Sequence, residues 1–209
     1  MSYWDQRYLS GQTGWDIGKV SPPLQQYFDQ LQRKDLSILI PGCGNSYEAG
    51  YLREKGFTTI TLLDISRVVM TRLRTTLGDT PGLRLITGDF FDHHDQYDLI
   101  VEQTFFCALD PALRPAYVEQ TARLLRPGGK LAGLLFDRNF VGASSLAPPR
   151  PFPSLCSGIT GGPPFGGSRQ EYQQLLEKNF TIKQLAPCYN SIKPRAGTEL
   201  FLIARKHDS

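Results

Sequence analysis

Residues 38–48, ILIPGCGNSYE, constrain the fold more tightly than any other stretch of the sequence. The apolar run 36–40 reads as a buried strand, 41–44 as a tight glycine turn, and the residues after it as a helix. Asn45 is placed to cap that helix, with Glu48 three positions on as its capping-box partner. A second apolar run, 58–64, ends in Asp64, about twenty residues past the turn. In a Rossmann-type βαβ unit that is the position from which an acid grips a nucleoside ribose. Glycine in the turn lets backbone approach the ligand closely. Alone, the same pattern also suits a structural turn in a generic αβ protein, and Asp64 with Ser66 also suits a helix N-cap.

Seven strand-like runs are expected at 36–40, 58–64, 83–87, 98–103, 130–136, 181–186 and 199–204. Helices are expected at 22–32, 46–55, 67–77, 115–125 and 169–178. Asp110-Pro111 and Arg114-Pro115 both resemble helix starts, and Pro115 at the first helical position is the better one, since it forfeits no hydrogen bond there. In LLRPGGKLAGLLF, 124–136, the PGG reads as a turn between a helix and a strand. Strands alternating with helices give an α/β fold, a mostly parallel seven-stranded sheet with helices on both faces. Proline, glycine and asparagine between the last two runs predict a C-terminal antiparallel hairpin. That ending is the Rossmann-like architecture of a class I methyltransferase.

A chain of 209 residues fits a single domain, 1–209. Within it, 1–35 is expected to cover the cofactor, and 138–168, rich in Pro, Gly and Ser, to form a loop or lid. A net charge of +3 with no long basic run gives no nucleic-acid footprint. No apolar segment is long enough to span a membrane, and the N-terminus lacks the build of a signal peptide. Cys43, Cys107, Cys156 and Cys188 are widely spaced and read as reduced thiols of a cytoplasmic protein. Histidine occurs only as His93, His94 and His207, so no metal site is expected; the His93-His94 pair reads as a solvated loop.

The ligand narrows by chemistry. Tyr47 stands where a dinucleotide fingerprint needs its third glycine, and the turn lacks the lysine of a phosphate-cradling loop. S-adenosylmethionine carries no phosphate and tolerates such a turn. Asp89, in GDFF after the third strand, is placed either to accept from an adenine amino group or to hold its own turn. Phe90 would cover the ring or lend its backbone N–H. Trp4 and Tyr8, four apart on one helical face, and Trp15 either staple the N-terminus to the core or close over a sulfonium, at about 0.5–2 kcal/mol per aromatic face.

Trp4, Tyr8, Trp15, Asp16 and Gly18 are followed in order by SPPL, IPGCGNSYE, LLDIS, GDFF, EQTFFCALDP, LLRPGGKL and GGPPF. This series resembles the thiopurine S-methyltransferase superfamily over nearly the whole chain, closest to its halide/thiol methyltransferase branch. The resemblance implies that Trp4, Tyr8 and Trp15 contact the methionine end of the cofactor, Gly42 lines the loop, and Asp64 holds the ribose. It further implies that Asp89 and Phe90 hold the adenine and that Gln103 faces the transferred methyl. Tyr8 replaces a tryptophan of the plant members, Gln103 a tyrosine, and Phe165 the tyrosine of a GGPPY segment at the acceptor pocket. The region 144–158 has no counterpart in that pattern.

Phe105, Phe106 and Phe165 would form an apolar acceptor pocket. With no histidine at the expected ligand edge, Glu102, Asp110 and Asp137 are the candidate bases. The pattern therefore favours a soft nucleophile such as a thiol, hydrosulfide, thiocyanate or halide, methylated by positioning alone and leaving S-adenosylhomocysteine. A thiopurine-like thiol or an oxidised tellurium or selenium species is the alternative acceptor. A nicotinamide-dependent oxidoreductase and a non-catalytic cofactor-binding module are the competing classes. The acceptor would be a small molecule, and the protein a monomer with no nucleic-acid or membrane partner.

Overall fold

The computed structural model describes residues 1–138 and 162–208. Its strands are β1 (Ser37–Pro41), β2 (Thr59–Asp64), β3 (Leu83–Thr87), β4 (Tyr97–Gln103), β5 (Leu125–Phe136), β6 (Phe180–Pro187) and β7 (Glu199–Lys206). They form one sheet in the order β3-β2-β1-β4-β5-β7-β6, parallel from β3 to β5, with β7 antiparallel to both β5 and β6. The expected C-terminal hairpin is present, and its second strand inserts between β5 and β6. The chain runs from β1 outward to β3 and then returns to β4 on the other side of β1. The order reverses there, and in open α/β sheets a ligand crevice opens beyond the strand ends at such a point.

The helices are α1 (Tyr3–Leu9), α2 (Pro22–Asp29), α3 (Tyr47–Glu54), α4 (Arg67–Leu77), α5 (Arg114–Leu124) and α6 (Arg169–Leu176). Side-chain alternation divides each strand between two buried faces. Ile38, Ile40, Leu99 and Val101 join Phe28 of α2, Leu52 of α3 and Val69 of α4 on one face. Leu39 and Ile100 join Tyr117 and Leu124 of α5 and Tyr172 and Leu176 of α6 on the other. Helices thus cover both faces, each fully buried side chain contributing about 2 kcal/mol. No helix among the described residues is long and apolar enough to cross a membrane.

Three local expectations are corrected. Asn45 does not cap α3: Ser46 is the N-cap residue, in the left-handed region at φ 60°, with no side-chain cap bond. Asn45 instead donates to Asp16, and Glu48 turns into the interior. The PGG turn lies inside β5, as an irregularity where the partner of β4 moves from Leu125, opposite Tyr97, to Lys130, opposite Leu99. Of the two histidines expected in a solvated loop, His93 is buried, with its Nε2 2.8 Å from the Tyr97 hydroxyl, and burial lowers its pKa. Both proposed helix starts exist: Asp110 caps a short 3-10 turn at Pro111–Leu113, and α5 begins directly after it. Most of 138–168, including 144–158 and Cys156, lies outside the described residues.

Glu102 of β4 is 1% exposed. Its Oε2 accepts from the N–H groups of Phe105 (3.0 Å) and Phe106 (3.2 Å), whereas Oε1 has no partner among the described residues. A methyl group on Gly133 of β5 would collide with this side chain, so glycine makes room for it. Burial raises the Glu102 pKa to about 7, against the pull of the two N–H groups. The native state therefore holds this proton more tightly than the unfolded chain does. The resulting stabilisation is complete below the unfolded pKa of 4.5 and is lost as pH rises through the folded value near 7. The loss amounts to about 3 kcal/mol. Glu102→Gln, which mimics the protonated acid, is expected to flatten the fall in unfolding temperature between about pH 5 and about pH 8. Thermal unfolding followed by circular dichroism checks this; a variant with the wild-type pH slope would refute it.

Candidate active site

The glycine turn beyond β1 owes its shape to two left-handed residues, Gly42 at φ 55° and Gly44 at φ 52°. A side chain at Gly42 would strike the Phe105 ring, so the turn and the segment after β4 are in close contact. The turn is fixed to β2 by two bonds: Cys43 N–H donates to the Leu63 carbonyl (3.2 Å) and Gly44 N–H to Asp64 Oδ2 (3.0 Å). Asp64 Oδ1 accepts from the Ser66 N–H (2.8 Å), where Ser66 caps α4. Burial raises the Asp64 pKa, while the N–H groups of Ser66 and Gly44 pull it down.

The N-terminal segment lies over this turn and is held at three points. Asp5 of α1 accepts from Ser66 Oγ (2.8 Å) and Val68 N–H (3.2 Å). Burial alone would raise the Asp5 pKa, but these bonds and those from Ser2 outweigh it and bring the value to about 2. Asp16 accepts from Gly18 N–H (2.7 Å), from the Asn45 amide and from the Tyr47 hydroxyl (3.3 Å). Arg195, from the loop before β7, donates to the Trp15 carbonyl (2.7 Å). Trp15 receives Trp4 and Tyr8 edge-on, at ring separations of 5.4 and 5.6 Å, in the geometry aromatic pairs prefer.

Between this cover and the ends of β1 and β4 opens a cleft that, counted together with the solvent at its mouth, encloses about 540 Å³. Of the residues expected to bind the cofactor, Tyr8, Trp15, Gly42 and Gln103 line it. Gln103 donates its amide to Glu48 Oε1 (2.8 Å) and accepts from Arg195 Nη1 (3.3 Å). Arg195 is also paired with Glu199 at 3.3 Å. Thr104 follows at φ 63°, and Glu102 holds the backbone just beyond it.

The remaining expected residues sit at one remove. Trp4 backs Trp15. Asp64 stands behind the turn, and each of its oxygens carries one backbone N–H. Asp89 is exposed and holds its own turn through the Phe91 N–H (2.9 Å). The Phe90 ring is buried, stacked on Tyr117 at 5.5 Å and edge-on to Phe91 and Phe105, so it packs in the core and does not face the cleft. The Phe106 ring is buried between Tyr117 and Tyr172, in the core and not in the cleft. Phe105 is half-buried, against Gly42 and Phe90. Phe165 is tied to the same region, its N–H donating to the Cys107 carbonyl (2.6 Å), and Arg114 holds the neighbouring Gly166 carbonyl (2.6 Å).

Asp5, Asp16 and Arg195 shape the site without being legible as site residues from motif alone. Asp5 has a readable signal, a Ser2-x-x-Asp5 capping box at the start of α1. Arg195 has none, since it meets Trp15 across 180 residues of sequence.

Sheet order, hairpin and cleft together define a class I methyltransferase fold. Residues 1–150 match the family model described as thiopurine S-methyltransferase (TPMT), and the chain belongs to that family. It is 28% identical over 94% of its length to an Arabidopsis thaliana protein named probable thiol methyltransferase 2, covering 81% of that relative. It is 29% identical over 64% of its length to thiocyanate methyltransferase 1 of Brassica oleracea, covering 61% of it. The fold resembles a Burkholderia thailandensis 1,6-didemethyltoxoflavin-N1-methyltransferase crystallised with S-adenosylhomocysteine. That likeness has a TM-score of 0.74 at 19% identity, over 98% of this chain and 86% of that one. The chain is therefore an enzyme whose methyl donor is S-adenosylmethionine.

The cleft suits that donor. The two left-handed glycines leave bare backbone beside it. A carboxylate offers about four acceptor sites, and the N–H groups of Gly44 and Ser66 do not fill those of Asp64. Asp64→Ala is expected to weaken S-adenosylhomocysteine binding at least about tenfold by calorimetry, about 1.4 kcal/mol. Unchanged affinity would place the ribose elsewhere. Asp5→Asn, at a residue facing α4 and not the cleft, is expected to weaken the same binding about threefold by loosening α1, with a rise in backbone hydrogen exchange over 3–9 as the accompanying readout.

Proposed function

We propose that this enzyme moves the methyl group in line from the sulfonium of S-adenosylmethionine to a soft nucleophile: a thiol, hydrosulfide, thiocyanate or halide. The observation that carries the reading is how the acids and histidines near the cleft are employed. Glu102 is buried behind the strand and caps the Phe105 turn. Asp110 caps its 3-10 turn, and Asp137 accepts from the Arg169 N–H at the start of α6 (3.1 Å). Asp16 and Glu48, which do line the cleft, already accept from its own walls. His93 faces Tyr97 and His94 faces Arg123.

A reaction served this way relies on alignment. A thiol with a pKa of about 8.5 supplies its own thiolate near neutral pH, and halide or thiocyanate needs no base. Phe105, held against Gly42, and Phe165, tied to Cys107, would give the acceptor an apolar surround that strips water from a small anion. Relatives named for thiol and thiocyanate methylation support the same chemistry. A thiopurine-type thiol or an oxidised tellurium or selenium species is the second reading, favoured by the family assignment. Widely spaced cysteines support a cytoplasmic reading, with the protein acting as a monomer on free small molecules.

The test is an acceptor panel with labelled S-adenosylmethionine: iodide, thiocyanate, hydrosulfide, thiophenol, a thiopurine, tellurite, a simple alcohol and an amine. Turnover of the soft anions or thiols at least about a hundredfold above the alcohol and amine, a gap of about 2.7 kcal/mol in barrier, is expected. Rapid methylation of the alcohol or amine without turnover of iodide or thiol would overturn the reading.

A further inference from the structure

Two charged residues, Glu48 and Lys19, line the cleft without touching the acceptor pocket of Phe105 and Phe165. Glu48, in the first turn of α3, is 7% exposed, and among the described residues no lysine, arginine or histidine is paired with it. Its Oε1 accepts from the Ser21 N–H (3.3 Å) and the Gln103 amide (2.8 Å), and its own backbone N–H also stabilises the carboxylate. Arg195, the buried cation of this region, is directed to Glu199, Gln103 and Trp15. A buried carboxylate with neutral donors alone is costly and becomes much less so when a cation reaches it. Burial accordingly raises its pKa, and Asp16 adds to the effect. Lys19 lines the same cleft from the exposed loop after Trp15, with no ion-pair partner among the described residues.

Resting on the assignment of S-adenosylmethionine as methyl donor, we infer that Glu48 and Lys19 are the receptor for the amino-acid end of the donor, Glu48 accepting from its α-ammonium and Lys19 pairing with its α-carboxylate. The direction follows from the fold. The ribose end belongs to Asp64 at the close of β2, and the sulfur to the Gln103 end of β4. The tail is then left facing the start of α3 and the Trp15–Lys19 loop. Asp16, the other acid there, has its oxygens taken by Gly18, Asn45 and Tyr47. Because Glu48 also holds the Gln103 amide, an ammonium seated on Glu48 reinforces the orientation of the residue beside the transferred methyl.

Calorimetry with three nucleosides tests this on the full chain. S-adenosylhomocysteine carries both tail charges, its decarboxylated analogue carries only the ammonium, and 5′-methylthioadenosine carries neither. Glu48→Gln keeps an acceptor oxygen for Ser21 and Gln103. It is expected to weaken the first two ligands at least about tenfold and 5′-methylthioadenosine less than about twofold. Lys19→Met is expected to weaken S-adenosylhomocysteine about three- to fivefold and to leave the other two unchanged. Equal losses for all three ligands in Glu48→Gln would reduce Glu48 to a structural residue and overturn the inference, as would no loss for any. Wild-type protein that bound none of the three would overturn the donor assignment itself, and the receptor with it. A Glu48→Gln variant with normal binding of all three but slowed thiol turnover and normal iodide turnover would make Glu48 a base and likewise overturn the inference.

Discussion

The Asp64 carboxylate joins three parts of the molecule before any ligand is considered. One oxygen takes the N–H of Gly44 in the β1 turn and the other the N–H of Ser66 at the start of α4. Ser66 in turn donates to Asp5, which fixes α1 and so the aromatic cover. A short polar chain therefore links the strand end, the glycine turn and the N-terminal segment. Hydrogen bonds to a charged group are among the stronger ones, and in a buried setting they gain further. The cleft exists in this shape because that chain is closed.

The site is built around buried charge that the core does not neutralise. Glu102 is shielded on every side and stabilised by two backbone N–H groups, while Glu48 rests on neutral donors beside the cleft. Arg195 balances Glu199 and reaches across to the N-terminal cover. Such groups weaken a fold relative to apolar replacements. They gather near the cleft from different elements, Glu48 from α3, Glu102 from β4 and Arg195 from the loop before β7. Around them the aromatic residues do two different jobs. Tyr8 and Trp15 face the cleft, whereas Phe90 and Phe106 hold the second core together.

Much of this was readable in the sequence. The apolar runs ending at Ile40, Asp64, Thr87 and Gln103 gave strands to within a residue or two, because each is short, rich in branched apolar residues and closed by a turn. The position of Asp64 relative to the glycine turn placed it correctly at the second strand end. Asn45 misled, because a residue type that caps helices also bonds well across space, and Asp16 competed for it. The PGG misled for a related reason: glycine and proline mark a change of direction, but a bulge inside a paired strand satisfies the same backbone requirement. Neighbouring aromatics could not be sorted by pattern. Phe105 and Phe106 are adjacent, yet one lies against the glycine turn and the other enters the core, since the backbone between them turns after Thr104.

By itself, then, the sequence determined the parallel sheet, the closing hairpin, the glycine turn and the acid that follows it. Those depend on local periodicity and on backbone conformations that few residue types allow. Only the tertiary structure decided which side chains meet at the cleft. Glu48, Gln103 and Arg195 lie on α3, β4 and the loop before β7, and Asp5 of α1 meets Ser66 with two helices and two strands between them in the chain. Contacts of that kind leave no periodic trace, because what joins them is the crossing of the chain from β3 back to β4 and the hairpin beyond it.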